Sequence, residues 1–107
     1  MEMISSSNLA LLRSNPSAPL DYLRWIEQFG WGEIGKASYM LYSGLDGLNE
    51  LIEHGPASYV CFGDDFNGYS GCFEVAGDGT VHEFDSATCE MTATGLRFQE
   101  FIARYIA

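Results

Sequence analysis

The stretch YVCFGDDFNGYSGCFEVAGDGTVHEFD, residues 59–85, decides the fold of this chain. Residues 58–62 are mostly aromatic and apolar, which predicts a buried strand. Residues 63–71 are rich in Gly, Asp and Asn, which predicts a loop. Residues 72–84 predict a β-hairpin, because two β-prone runs flank the Gly-Asp-Gly sequence at 77–79. The stretch therefore predicts consecutive strands joined by short connections.

The sequence leaves two registers open for this hairpin. A two-residue turn at 78–79 would set Glu74 against Glu83, which places like charges opposite each other. A three-residue turn would set Val75 against Val81 instead. We favour the second register because an apolar pair is the better cross-strand contact.

A helix is predicted upstream of this stretch. Residues 1–16 are rich in Ser and Asn and predict a loosely ordered or weakly helical lead-in. Ser17 can then cap a helix, Pro19 suits its first turn and Gly30 supplies its end. Its apolar residues recur at helical spacing and predict a buried face made of Leu20, Leu23, Ile26 and Phe29.

A strand and a short helix are predicted before the opening stretch. Residues 38–42 are β-prone and predict the strand. Ser43, with Asp46 three residues later, resembles a capping box, and Gly55 with Pro56 closes the segment. We expect the short helix between these signals.

The C-terminal part predicts a last strand at residues 88–92 and a helix capped by Thr94. Glu100 and Arg104 are spaced to pair on the outer side of that helix. Its apolar face consists of Phe98, Phe101, Ile102 and Tyr105. The order of elements predicts a single α+β domain over residues 1–107, with a central, mostly antiparallel sheet flanked by helices.

Charge is distributed unevenly along the chain, whose formal net charge is −10 at pH 7. The five basic residues lie towards the two ends: Arg13, Arg24, Lys36, Arg97 and Arg104. Between residues 37 and 96 there is no Lys or Arg, and ten acidic residues occupy that stretch. Such a surface repels phosphate backbones and anionic membranes, so we expect neither nucleic acid nor a membrane as a partner. It favours a cationic protein partner.

Targeting and redox signals point to the cytoplasm. The N-terminus shows no basic region followed by a long apolar block, and no apolar run reaches about 18 residues, the length of a membrane span. Cys61, Cys72 and Cys89 cannot all pair, and their spacings match no disulfide or zinc framework. We therefore expect a reducing compartment.

The sequence offers no recognisable catalytic, metal or cofactor site. His54, His82 and the three cysteines lack the short spacing of paired metal ligands. A calcium loop of the EF-hand type needs Glu at its twelfth position, but counting from Asp64 reaches Val75. There is no Gly-x-Ser-x-Gly motif and no Gly-rich phosphate loop. We expect a protein that is not an enzyme and binds no cofactor.

The candidate contact surface lies in the acidic loop and hairpin. Phe66 and Tyr69 stand within the acidic loop and are the predicted exposed anchors. The predicted charged contacts are Asp64, Asp65, Glu74 and Glu83. Which of these acids share a face is left open by the sequence.

Two segments resemble the SUKH superfamily, the Smi/Knr cell-wall-assembly-regulator-like family. They are PLDYLRWIEQFGWGEIG, residues 19–35, and the opening stretch, and the resemblance covers residues 19–106. In the family, a helix runs into a Gly-rich turn, and a strand, an acidic Gly-rich loop and a hairpin follow. The structural motif carried over from the family falls on Gly30, Asp64, Asp65, Gly71 and Asp85.

This resemblance implies an α+β fold and no enzymatic activity. Short bacterial members are immunity proteins that neutralise toxins such as nucleases, whereas fungal members act as regulatory scaffolds. Our leading hypothesis is an immunity protein that binds a cognate toxin, such as a basic nuclease, through its acidic surface. The alternative is a regulatory or scaffold protein with a non-toxin partner. The oligomeric state is left open.

Overall fold

The protein is an α+β fold built on a six-stranded antiparallel sheet flanked by helices, as predicted. A computed structural model describes residues 1–106. The helices are α1 Ser6–Arg13, α2 Leu20–Phe29, α3 Leu48–Leu51 and α4 Phe98–Ala103. The strands are β1 Gly32–Ile34, β2 Tyr39–Gly47, β3 Tyr59–Asp64, β4 Tyr69–Glu74, β5 Thr80–Asp85 and β6 Glu90–Arg97. They lie in the sheet in their order along the chain, so every neighbouring pair is also sequential.

The hairpin of β4 and β5 has neither of the two predicted registers. Phe73 lies opposite Val81, so the connection is a longer loop at residues 75–79. Both partners are fully buried, whereas Val75 is 46% exposed. The register set by a two-residue turn differs by three residues and would turn the apolar side chains of one strand to the opposite face. The favoured register differs by two residues and keeps the faces, but it would pair the buried Val81 with the exposed Val75 instead of the buried Phe73.

The second helix, α2, forms close to where the sequence predicted it, and Gly30 ends it with a φ of 85°. A Cβ at position 30 would collide with the main-chain carbonyl of Glu2, so glycine also lets the N-terminal segment cross here. The predicted apolar face is wrong at its two ends, because Leu20 and Phe29 are exposed. The buried side chains are those of Tyr22, Trp25 and Ile26.

The N-terminal lead-in contains a helix that packs on the core. Ser5 caps α1, since its hydroxyl accepts a hydrogen bond from the Asn8 N–H at 3.2 Å. Leu12 is buried, and Ile4 and Leu9 pack against the same core cluster. A helix of eight residues is marginal alone, so these contacts stabilise it.

Three predicted helix caps are wrong, because each residue is used elsewhere. The Ser17 hydroxyl accepts a hydrogen bond from the distant Ala76 N–H at 3.1 Å, while Pro19 precedes α2. Ser43 lies inside β2. Thr94 lies inside β6, and its hydroxyl donates to the Val81 carbonyl at 2.7 Å. The hydroxyl groups of Ser17 and Thr94 are thus taken by partners far away in sequence, which only the folded chain brings near.

The predicted pair of Glu100 and Arg104 on α4 is also replaced by other contacts. Glu100 accepts a hydrogen bond from the Arg97 N–H at 3.2 Å. The Arg104 guanidinium lies 4.7 Å from the centre of the Phe101 ring and 3.8 Å from the Glu83 carboxylate. Arg104 therefore ties α4 to the sheet.

The main core fills the space between one face of the sheet and helices α1, α2 and α4. Aromatic rings form its centre: the Phe62 ring lies 4.8 Å from Phe73, 5.2 Å from Phe98 and 5.8 Å from Phe101, measured between ring centres. Burying each such side chain stabilises the fold by roughly 1.5–3 kcal/mol. The predicted apolar face of α4 is confirmed, since Phe98, Phe101 and Ile102 are buried and Tyr105 packs against them.

A smaller apolar cluster lies on the opposite face of the sheet, beneath α3. Its fully buried members, here called the second-face cluster, are Leu48, Cys61, Cys72 and Phe84. Half-buried side chains surround it: Tyr42, Ile52, Tyr59 and Met91. Since side chains alternate between the faces of a strand, β3, β4 and β5 contribute to both clusters.

Candidate functional site

One end of the sheet, where β3 turns into β4 and β5 finishes, carries five of the six predicted contact residues. We call this end of the sheet the acidic end and define it as Asp64, Asp65, Phe66, Tyr69, Glu83 and Asp85. Asp64 lies on the face of the second-face cluster, and the strand residues Tyr69, Glu83 and Asp85 lie on the opposite face. The loop at its centre is shorter than predicted, with only residues 65–68 between the strands. Gly63 and Gly71 pair with each other within the sheet instead of lying in the loop.

Two carboxylates fix the backbone of this loop. Asp64 accepts a hydrogen bond from the Phe66 N–H at 2.9 Å. Asp65 accepts from the N–H groups of Asn67 and Tyr69 at 2.8 Å and 3.1 Å. Because an ionised carboxylate can accept about four hydrogen bonds, both acids keep acceptor capacity for donors of another molecule.

Phe66 is displayed by a backbone conformation that is rare for a large side chain. Its φ is 64°, in the left-handed region, and the residue is 49% exposed. Left-handed backbone costs a residue with a Cβ about 1–2 kcal/mol relative to the right-handed form. The hydrogen bond to Asp64 helps to hold this conformation, so the loop presents an apolar ring to solvent at an energetic cost.

Tyr69 and the acids of β5 lie next to each other on the face that carries the helices. Tyr69 pairs with Asp85, and Gly71 pairs with Glu83. The negative charge of Asp85 raises the pKa of the exposed Tyr69 phenol, and Asp65 and Glu83 act in the same direction. The proximity of these acids creates a negative surface around an aromatic ring that is 43% exposed.

Arg104 and Tyr42 also border the acidic end, although the sequence analysis did not select either as a site residue. Arg104 approaches Glu83 from α4. Tyr42 donates a hydrogen bond of 2.5 Å to Asp64 from β2, and burial, followed by this bond, raises the pKa of its phenol. The i, i+4 spacing predicted that Arg104 pairs with Glu100 instead of Glu83. No local sequence signal links Tyr42 with Asp64.

Glu74 is the predicted contact residue that lies apart from the others. It is the last residue of β4, while Tyr69 is the first. At about 3.3 Å per residue the strand separates them by roughly 17 Å. The side chain of Glu74 is exposed next to the loop 75–79, at the opposite end of the sheet.

The positions on which the resemblance to the SUKH superfamily rests have separate structural roles. Gly30 ends α2 far along the chain from the acidic loop. Gly71 lies in β4 beneath the Tyr39 hydroxyl and the Phe62 ring, which a Cβ would strike. Asp85 ends β5 and accepts a hydrogen bond from the Ala87 N–H at 2.9 Å, which shapes the next turn.

A groove in the described part of the chain lies away from the acidic end. Its volume is about 820 Å³, and it is bordered by the start of α2, the start of α4 and the loop 75–79. Asp21 lies in it, but its carboxylate is already bonded to the N–H groups of Tyr22 and Gln99.

The described residues hold no set of three or more His, Cys, Asp and Glu side chains that could bind a metal ion. His82 packs its ring against Tyr59, with 5.2 Å between ring centres. In residues 1–106 no helix combines the length and the apolar character that crossing a membrane requires. The acidic end is therefore the candidate site, as a surface rich in hydrogen-bond acceptors with two exposed aromatic rings.

Comparison of the chain with protein-family models, with curated proteins and with solved structures gave no match.

Proposed function

We propose that this protein is a cytoplasmic, non-enzymatic binding protein of the SUKH type that neutralises a cognate toxin by covering a basic surface with its acidic end. One observation carries the proposal: Phe66 is exposed in the loop 65–68 and Tyr69 is exposed at the start of β4, and Asp64 and Asp65 fix the backbone between them. Exposed aromatic anchors within a rigid, charged rim are typical of the energetic centre of a protein interface.

The negative charge of this chain supports the proposal that its partner is basic. No Lys or Arg occurs between residues 37 and 96, and the chain as a whole has a net charge of −10. Arg104 borders the acidic end but approaches Glu83, and within residues 1–106 no ion pair involves Asp64 or Asp65. Opposite charge on a partner accelerates association and disfavours wrong partners. A nuclease whose substrate groove is basic fits this surface.

Fixed geometry supports binding through the loop itself. Asp65 bonds to two main-chain N–H groups and Asp64 to one N–H and to the Tyr42 hydroxyl. A loop already held in its binding conformation loses little conformational entropy on association. The cost of displaying Phe66 is then recovered when a partner buries the ring.

The test is co-expression with the product of the neighbouring gene, scored for rescue from toxicity and for complex formation. We expect Asp64→Asn with Asp65→Asn to slow association at low salt and to flatten its salt dependence. Asparagine keeps an oxygen that can accept the same backbone hydrogen bonds, so the loop is retained while two charges are removed.

Glu50→Gln with Glu53→Gln is the matched control. It removes the same charge from two exposed residues at α3, outside the acidic end. Equal slowing by both double variants would show that net charge acts and the acidic end does not. Binding of a non-toxic partner without rescue would favour the regulatory or scaffold alternative, and absence of both binding and rescue would refute the immunity proposal.

A further inference from the structure

Two cysteines face each other across neighbouring strands. Cys61 in β3 lies directly opposite Cys72 in β4. Both are free thiols, and both are fully buried. Residues directly opposite in antiparallel strands have Cα atoms about 4.5–5.5 Å apart. This spacing lies within the range of about 4.4–6.8 Å that a disulfide spans.

The surroundings of the pair permit reaction with a small oxidant. The two thiols belong to the second-face cluster, whose cover is α3, a helix of only four residues. Such a short helix is marginally stable, so local opening can admit a small molecule. Ile52, which follows α3, is half-buried, and Leu51 is 45% exposed.

The two thiols also differ in acidity. In the folded structure the Cys61 thiol donates to the Gly63 carbonyl at 3.3 Å and the Cys72 thiol to the Ser70 carbonyl at 3.6 Å. The neighbouring Cys72 thiol lowers the pKa of Cys61, whereas Cys61 and burial raise the pKa of Cys72. Cys61 is therefore the thiol that attacks first, because the thiolate is the nucleophile.

We propose that Cys61 and Cys72 form a reversible cross-strand disulfide when the protein meets hydrogen peroxide. The Cys61 thiolate attacks one peroxide oxygen, which gives a sulfenic acid, and the other oxygen leaves as water after taking a proton. The Cys72 sulfur then attacks the sulfenic sulfur, and the hydroxyl group leaves as a second water. Two thiols and one peroxide thus give one disulfide and two waters, with two electrons passing from sulfur to oxygen.

The bond would be easily reduced again. Opposed Cβ atoms in a sheet lie about 4.5–5.5 Å apart, whereas a disulfide prefers about 3.5–4.5 Å. The strands must approach each other to close the bond, and strained disulfides are the labile ones.

The ring closed by this bond contains the loop of the acidic end. All of Asp64, Asp65, Phe66 and Tyr69 lie between the two cysteines in sequence. Oxidation would therefore restrain the loop that the proposed function assigns to partner binding. Formation of the bond does not depend on that function, and the experiment below needs no partner.

The experiment uses the full chain with Cys89→Ser, because Cys89 is exposed and could cross-link two molecules. The folded protein is treated with hydrogen peroxide, and its intact mass and free thiols are measured. We expect the monomer to lose two hydrogen atoms and both free thiols, and dithiothreitol to restore them. Only Cys61 and Cys72 remain in this variant, so the mass change assigns the bond.

Cys61→Ser in the same background is the control, and it must not lose two hydrogens as a monomer. If the folded Cys89→Ser protein keeps both thiols, or gains oxygen atoms rather than losing hydrogens, the proposal is wrong. Amide hydrogen exchange across residues 65–68 should slow in the oxidised protein. Unchanged exchange at these residues would show that the disulfide does not restrain the loop.

Discussion

Replacing Gly71 with alanine tests how closely aromatic rings lie on the backbone beneath the acidic end. A Cβ at this position would overlap the Tyr39 hydroxyl and the end of the Phe62 ring. Both rings are buried among other aromatic side chains and have little room to move. We expect Gly71→Ala to destabilise the protein.

The size of the effect follows from two opposing contributions. Forcing a methyl group into a packed core costs about 1–3 kcal/mol. Replacing glycine with alanine in a strand recovers about 0.5–1 kcal/mol, because the unfolded chain loses less freedom on folding. The net loss is about 1–2 kcal/mol. For a domain of this size the loss corresponds to a fall in Tm of roughly 5–15 °C.

The measurement is urea unfolding followed by the fluorescence of Trp25 and Trp31. Gly44→Ala is the matched control, since Gly44 also lies in a strand and a Cβ there would meet no atom within 4 Å. We expect the control to be neutral or slightly stabilising and Gly71→Ala to lower the midpoint at unchanged slope. Equal midpoints for the two variants would show that the rings move aside and that the packing argument is wrong.

Three further predictions concern groups in the core and the loop. The free energy of unfolding should fall as pH rises above about 10, because burial raises the pKa of Tyr22 and Tyr39. Above that pH the unfolded chain releases phenol protons that the folded chain keeps. Tyr39→Phe should reduce this loss of stability, measured by urea unfolding at alkaline pH. Phe66→Asn should stabilise the isolated protein by up to about 1 kcal/mol, since asparagine tolerates left-handed backbone, while it weakens partner binding in a calorimetric titration. Leu48→Ala should cost about 2–5 kcal/mol in the urea midpoint, and a smaller loss would show that α3 collapses onto the cavity.

The sequence predicted the elements whose signals are local. Gly30 ended a helix where it was expected, and the apolar spacing of α4 identified its buried face. The strand beginning near Tyr59 and the hairpin after it were found because β-prone residues alternate with Gly-rich turns. These features depend on neighbours within a few positions, which a sequence displays directly.

Features that depend on distant partners were missed. Ser17 and Thr94 have the chemistry of helix caps, but Ala76 and Val81, far away in sequence, take their hydroxyl groups. The register of the hairpin pairs two buried residues, Phe73 and Val81, and turn chemistry does not encode that pairing. Strand β1 escaped notice because three residues are too few to show a period.

The same distinction applies to the candidate site. Asp64 and Asp65 were predicted as contact residues and do lie together, since they are adjacent in the chain. The hairpin returns β5 past β4 and brings Glu83 to the same end of the sheet, but on the face opposite to Asp64, whose partner Ser70 pairs with Phe84 of the second-face cluster. Glu74 does not join them, because the length of β4 places it at the other end of the sheet. Charge along the sequence shows which residues are acidic, and only the register shows which share a surface.

The sequential order of the six strands has a consequence for the folding rate. Each strand pairs with the next one along the chain, so every strand pairing closes a comparatively short loop. The packing of α2 against α4 is one of the contacts that join distant parts of the chain. Sheets with local pairings fold faster than sheets that must first bring remote segments together. We expect the meander to form early and the docking of α4 on α2 to complete the native state.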